Sequence, residues 1–385
     1  MTMPTSGGNA TIVSVESFVV DLPSKRQMVL AGGSSAPSGG TSPRVLTKVT
    51  DSDGVVGWGE SRGNPRWNEE SIESVQVTLD THLAPAVVGT EIWDLDGLHQ
   101  RMDRAIRGGF GIGHPVAKAG IDVAIHDLLG HKLEIPVTDL LGGRRRDTIQ
   151  LGWIVSSTDP AAAASEAKEG LEEGYSAFKV KIGVHGVTGD IAFVRSVREV
   201  IGDDAFLWVD ANQGYTADEA LRVARGIVDL DVDVFEQPVA ANDIIGLRRL
   251  VASSPIPVAL DETLRAPRDL VQMVALEAAD VVIAKVQRTA GLWRSRQLCD
   301  LAEAAGLRIM GSGMSETDIG LAAGLHLFSR YGIDTPVDLN GRQFIETPFV
   351  GETVVVDGGV ATVPVGPGLG VEVDEEAVRS LSRSN

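Results

Sequence analysis

AFKVKI (177–182), FLWVD (206–210), VDVFE (232–236), IPVALD (256–261), DVVIAK (280–285) and LRIMG (307–311) are the segments whose reading decides the fold. Each is a short apolar run, and an amphipathic, helix-like stretch separates it from the next. This alternation is the pattern of parallel βα units. IQLGWIV (149–155) adds a strand before them and Gly332–Leu339 an eighth after them, which is the count of a β/α barrel. Helix punctuation agrees: Asp159-Pro160 reads as a cap followed by a first-turn proline, Thr216 to Glu219 as a capping box, and Gly174 and Gly306 as helix ends. No GxGxxG follows the first strand, which weighs against a dinucleotide-binding sheet.

Charged residues close one strand after another: Lys181, Asp210, Glu236, Asp261 and Lys285, separated by 29, 26, 25 and 24 residues. In a β/α barrel the C-terminal strand ends form the active-site rim. A single strand-end acid often does no more than favour the next helix N-terminus. Three at repeat spacing instead converge as oxygen ligands, and carboxylates without Cys or His suit Mg²⁺, with Mn²⁺ as a substitute. Alternation in Phe178-Lys179-Val180-Lys181-Ile182 puts both lysines on the face opposite the apolar residues, hence inside the barrel. Crowded, buried ammonium groups lose protons more readily, so one lysine is expected to depress its neighbour and to serve as a base. Lys285, four strands round, reaches the centre from the other side. Two bases facing each other across a cation that stabilises an enolate suit racemisation next to a carboxylate.

Working outward, TIVSVESFVVDL (11–22) reads as a strand and Arg44–Trp58 as a hairpin turning at Asp53-Gly54. Helical patterns follow over 68–83, 92–106 and 114–131. The expected organisation is a flexible tail (1–10), an α+β capping unit (11–145) with lid loops near 25–44 and 60–68, and a barrel (146–340). A final segment (341–385), containing the hairpin TVVVDGGVATV (353–363), is expected to return to the cap. The Gly/Ser/Pro-rich composition of 31–43 suits a lid.

Composition bounds the function. With 34 basic and 53 acidic residues the formal charge is −19, so neither nucleic acid nor an anionic membrane is an expected partner. No run approaches the length of a membrane span. Cys299 is the sole cysteine, which excludes an intramolecular disulfide and argues against a cysteine-based zinc site. The N-terminus carries no signal-peptide pattern, and a cytoplasmic location is expected.

At these residues the chain resembles the enolase superfamily, in its muconate lactonizing enzyme subgroup. The likeness rests on the KxK pair (Lys179, Lys181), VDAN (209–212), EQP (236–238), LDE (260–262) and Ala284-Lys285, with GWGE (57–60) and LLGG (140–143) extending it over nearly the whole chain. The resemblance implies an α/β fold, a modified TIM barrel (β/α)₇β with an α+β capping domain formed from both ends of the chain. It implies Mg²⁺ on Asp210, Glu236 and Asp261, Lys181 and Lys285 as paired acid/base groups, and Lys179 as an electrostatic helper. Asn212 would orient the substrate or a metal ligand, Glu262 would lie in an outer shell, and homo-oligomers (dimer or octamer) are expected.

This subgroup hosts several reactions on a small-molecule carboxylate substrate. The expected reaction is racemisation or epimerisation, with an amino acid derivative as a natural substrate. Muconate-type cycloisomerisation is the alternative, followed by β-elimination or a succinylbenzoate-type synthase; a non-catalytic ligand-binding barrel is the reading from another class. In VDLNG (337–341), where dipeptide epimerases of the subgroup carry Asp-x-Asp, this chain has Asp338 and Asn340. One charge instead of two weakens a dipeptide reading. Glu316, Arg66 and Trp67 complete the expected substrate contacts, the last two for a distal anionic or aromatic group.

Overall fold

The computed structural model describes residues 10–26, 28–30, 33–36, 40–109, 111–351 and 354–383. Most of the expected flexible tail and part of the glycine-rich loop (31, 32 and 37–39) lie outside the described residues. Seven parallel strands form one curled sheet in chain order: Trp153–Val155, Ala177–Lys181, Phe206–Asp210, Val234–Glu236, Val258–Leu260, Val281–Ala284 and Arg308–Gly311. The eighth stave is reduced to single bridges, Val337 with Leu151 and Asp338 with Ser312. These join the first and last strands and close the barrel, so the fold is the modified (β/α)₇β barrel.

Period-two alternation sorts the strand residues as the sequence suggests. Phe178, Val180, Leu207, Val209, Phe235, Leu260 and Val282 point outward into one buried cluster with the surrounding helices. Removing an aromatic such as Phe235 from it costs about 3–5 kcal/mol. Trp208, Val234, Ala259, Val281, Ile283 and Met310 fill the interior below the rim. Helix starts follow the expected caps: Asp159 accepts from Ala162 N at 2.9 Å, and Thr216 and Glu219 form a reciprocal box. Gly174 (φ 83°) and Gly306 (φ 70°) close helices in the left-handed conformation that glycine adopts cheaply.

The capping unit is a three-stranded antiparallel sheet, Ile12–Pro23, Thr41–Asp51 and Val56–Ser61, laid on the long helix Pro115–Leu133. The glycines of GWGE have a steric cause: a Cβ on Gly57 or Gly59 would overlap backbone oxygens of Ala124 or Gly120. The expected lid at 60–68 is a stapled turn. Asn68 donates to Arg62 O (3.0 Å) and accepts from the backbone of Asn64 (3.2 Å) and Glu70 (3.0 Å).

The C-terminal segment divides. Helix Glu375–Leu381 packs on strand Ile12–Pro23, with Lys48–Glu375 and Arg383–Asp21 ion pairs at 2.8 and 2.7 Å. The hairpin Val356–Asp357/Val360–Thr362, expected on the cap, instead pairs antiparallel with Thr148–Gln150 at the start of the barrel. That pairing splits IQLGWIV into two strands serving two sheets. Among the described residues no helix is long and apolar enough to cross a membrane.

Candidate active site

Three acids and three lysines meet inside the rim, and all six are buried. Lys179 Nζ lies 3.0 Å from Asp210 Oδ2, 2.9 Å from Glu236 Oε2 and 3.0 Å from Asp338 Oδ2, with its charge 4.2 Å from the centre of the Trp208 ring below. Lys181 Nζ donates to Asp210 Oδ2 (2.7 Å) and Asn212 Oδ1 (3.1 Å). Lys285 Nζ donates to Asp261 Oδ2 at 2.6 Å. In sheet order Lys181 ends the second strand and Lys285 follows the sixth, so the two stand on opposite arcs of the barrel.

Burial disfavours charge on every acid here. For Asp210 the ammonium groups of Lys179 and Lys181 outweigh burial and hold the carboxyl well below its usual range. For Asp261, Arg288 and Lys285 outweigh it and hold the group at about 2. Glu236 goes the other way: burial and the Asp210 carboxylate push it well above the usual range. The expected depression of one lysine by another is not what governs Lys179. Burial works against its charge, yet Asp210, Glu236 and Asp338 together raise it well above 10.5.

Among the described residues no group of three or more His, Cys, Asp or Glu side chains is arranged to hold a metal ion. Each of the three acids leans on an ammonium group. The donor set nevertheless fits a hard divalent cation. It is all carboxylate, and Glu236 Oε2 and Asp261 Oδ1 are buried with ion-pair contacts, to Lys179 Nζ at 2.9 Å and Arg288 Nε at 3.1 Å, but no well-aligned hydrogen bond, so each keeps acceptor capacity for a cation.

A second ring supports the first. Asn212, in a left-handed conformation (φ 39°), bonds Lys181 through Oδ1 and Glu262 Oε1 through Nδ2 at 3.1 Å, while its backbone N–H donates to Asp210 Oδ1 at 2.9 Å. Arg288 Nε lies 3.1 Å from Asp261 Oδ1. The sequence reading missed Arg288, which sits in an irregular turn after Lys285 where no periodicity marks it. Ser312 was missed too; its hydroxyl lies 3.2 Å from Asp338 Oδ2.

The expected substrate contacts separate. Asp338 is bonded to Lys179 and Ser312, so it is not a free acid awaiting a cationic nitrogen. Asn340 donates its amide to Gly152 O, fastening the end of the last stave to the first strand. Glu316 accepts from Met314 N at 2.6 Å, and burial with the nearby Glu60 pushes it up to about 7; it belongs to the interface with the cap. Trp67 is buried above the lysines, its ring centre 5.9 Å from Lys181 Nζ and 5.3 Å from Lys285 Nζ. Arg66 is exposed and, with Trp67, Glu262, Arg265, Arg288 and Met314, lines a cleft of about 370 Å³ between cap and barrel.

The cap is locked to this rim by Glu60 of GWGE. Its carboxylate accepts from Arg44 Nε (3.1 Å), Thr317 N (3.0 Å), Thr317 Oγ1 (2.7 Å) and Gly320 N (3.2 Å), the last three at the start of helix Asp318–Tyr331.

A capped (β/α)₇β barrel carrying acids and lysines on successive strand ends defines the class of enolase-superfamily enzymes. The chain belongs to the mandelate racemase/muconate lactonizing enzyme family, in the muconate lactonizing enzyme subgroup. The family's N-terminal domain matches residues 15–142, and the enolase C-terminal domain-like model matches 162–377. The N-succinyl-L-Arg/Lys racemase of Bacillus cereus is 32% identical, with 96% of this chain and 98% of that one covered. Muconate cycloisomerase 1-2 of Acinetobacter lwoffii is 31% identical, with 97% and 95% covered. The muconate lactonizing enzyme of Pseudomonas fluorescens, solved with muconolactone, superposes with a TM-score of 0.91 at 32% identity, covering 98% of this chain and all (100%) of that one. Racemases and cycloisomerases are both isomerases, and the chain is an enzyme of that class. Enzymes of the superfamily generally use a divalent metal, and those of this family act on small carboxylates.

Proposed function

We propose that the protein is a racemase or epimerase that exchanges the α-proton of a carboxylate between Lys181 and Lys285. The observation that carries this reading is the placement of the two lysines on opposite arcs of one rim, each beside an acid. Neutral Lys181 would take the α-proton at Nζ as the C–H electrons move into the carboxylate to give an enolate. The Lys285 ammonium then returns a proton from its own Nζ to the opposite face of the same carbon. In the reverse direction the two exchange roles. Lys179, among its three acids, contributes a fixed positive charge rather than a base. A divalent cation, Mg²⁺ in our reading, held by Asp210, Glu236 and Asp261 would stabilise the charge that builds on the substrate carboxylate.

The bonds from Asp338 to Lys179 and Ser312 favour a substrate whose nitrogen is uncharged, such as an N-acyl amino acid. Muconate-type cycloisomerisation is the second reading, favoured by relatives of nearly the same identity. It needs a proton delivered to one carbon only, which leaves one of the two opposed lysines without proton work. Incubation with Mg²⁺ in D₂O against N-succinyl amino acids, dipeptides, betaines and cis,cis-muconate distinguishes them. Recovered N-succinyl amino acid with α-deuterium and inverted configuration supports racemisation; a lactone from muconate moves the assignment to cycloisomerase. Exchange with none of these substrates overturns the racemase reading. A cytoplasmic dimer or octamer completes the proposal, and light scattering of the purified protein reads the oligomer.

A further inference from the structure

Arg62 and Trp67 stand five positions apart in SRGNPRW (61–67), yet they pack as one unit. The Arg62 guanidinium lies 5.1 Å from the centre of the Trp67 ring, within cation–π range. Arg62 is also tied to two barrel loops: its backbone N–H donates to Gln287 Oε1 at 2.7 Å, and its guanidinium donates to Met314 O. Its carbonyl accepts from Asn68 Nδ2 at 3.0 Å, and Trp67 N donates to Asn64 O at 2.9 Å, so the loop between them is closed on itself. The same ring lies within 6 Å of both lysine nitrogens. Arg62 and Trp67 are both buried, although both come from the segment joining the cap sheet to its first helix.

We propose that Arg62 is a positioning residue: it pins the Trp67 indole as a roof over Lys181 and Lys285 and thereby sets the gap in which the substrate α-carbon meets both lysines. Arg62 touches neither lysine and acts through the ring. Its planar guanidinium can stack on the indole while donating to Met314 O, a combination the point charge of a lysine does not reproduce. A roof displaced by about an ångström is expected to cost about tenfold or more in turnover, because reacting atoms must be held in near-attack geometry. The inference rests on the two-lysine reading of the site.

The test has one arm without substrate and one with it. In the first, Lys181 and Lys285 are mapped by mass spectrometry after brief treatment with acetic anhydride, in wild type, Arg62→Met, Arg62→Lys and Trp67→Phe. Arg62→Met is expected to raise labelling of Lys181 and Lys285 several-fold with the melting curve retained, and Arg62→Lys to restore little of the protection. Unchanged labelling in a folded Arg62→Met protein overturns the inference. If Arg62→Met fails to fold, Arg62→Lys carries the same comparison: labelling at the wild-type level overturns the proposal, and raised labelling supports it.

In the second arm, α-deuterium exchange of N-succinyl-L-lysine is measured across Arg62→Met, Trp67→Phe and the double variant. If Arg62 acts through Trp67, each single change costs about tenfold and the double variant is no worse than either. Losses that multiply to about a hundredfold show independent action and overturn the proposal. A wild type inactive on this probe counts against the function proposed above and leaves the labelling arm to decide the roof.

Discussion

Glu60→Ala is expected to destabilise the protein by about 3–5 kcal/mol, the range seen when one partner of a buried ion pair is removed. The structure supplies the reason for so large an effect. Glu60 and Arg44 are 1% and 0% exposed, and the carboxylate gathers Arg44 Nε, Thr317 N, Thr317 Oγ1 and Gly320 N. Alanine leaves those donors buried and removes the bonded counter-charge of the guanidinium; the remaining bonds of Arg44, to Ser42, Pro43 and Ser315, are to neutral oxygens, and Glu316 acts on it only through space. Glu60→Gln keeps an acceptor for Thr317 but turns an amide donor towards other donors, so an intermediate loss of about 1–3 kcal/mol is expected. Replacing both partners, Glu60→Gln with Arg44→Met, should cost less than the sum of the single changes, since no unpaired charge remains. Urea unfolding followed by far-ultraviolet circular dichroism and tryptophan fluorescence measures the wild type and all four variants. A loss below about 1 kcal/mol for Glu60→Ala, or strict additivity in the cycle, would refute the claim that this carboxylate locks the cap to the barrel.

Lys181→Ala and Lys285→Ala should each abolish interconversion of enantiomers, by about 10²–10⁴-fold, while retaining α-deuterium exchange into one enantiomer only; exchange into both after either change would contradict the assignment of faces. Asp261→Asn should weaken Mg²⁺ binding, read by isothermal titration calorimetry, by about tenfold or more, since even the residues supporting metal ligands contribute that much; a wild type that binds no Mg²⁺ at millimolar concentrations removes the metal site. His326, buried between Thr138 and Leu369 O, is pushed down to about 4 by that burial. Its folded pKa lies below the unfolded value near 6.5, so its contribution is intact above that pH and is lost as pH falls towards 4, by up to about 3 kcal/mol. Unfolding free energies from pH 7 to 4 should therefore be less steep in His326→Gln than in wild type.

Particular residues show why the fold and the charged rim were legible in the sequence. The barrel strands announce themselves because a strand buried on both faces must be a continuous apolar run, and their charged ends recur because each βα unit takes about the same length of chain. Alternation alone turns Lys179 and Lys181 inward. What local pattern does not contain is the partner across the fold. The bond of Lys179 to Asp338 spans 159 residues, and that of Glu60 to Thr317 spans 257. No periodicity encodes either. For the same reason the hairpin at Val356–Thr362 could be recognised as a hairpin but not assigned to Thr148–Gln150, because strand pairing is specified by the partner's surface. Asn340 and Glu316 stand at positions the sequence marks for substrate contacts, and it does not show the protein bonds they make, Asn340 to Gly152 O and Glu316 from Met314 N.

Beneath the rim, Trp208, Val234, Ala259, Val281, Ile283 and Met310 plug the barrel with hydrocarbon and one indole. Such a floor makes the reaction chamber one-ended. On the racemase reading, with Trp67 over both lysines and the interior below the rim filled, water would reach the lysines from the cap side and a hydron lifted from carbon would leave by the same mouth. Under a closed roof, hydrons would then mix among the ammonium positions of a lysine before they mix with bulk solvent. A substrate tritiated at the α-carbon should accordingly show internal return: at low conversion, part of the label remains on carbon in recovered substrate rather than appearing wholly in water. Loosening the mouth would lower that retained fraction, whereas opening the floor would create a second route for the label to escape.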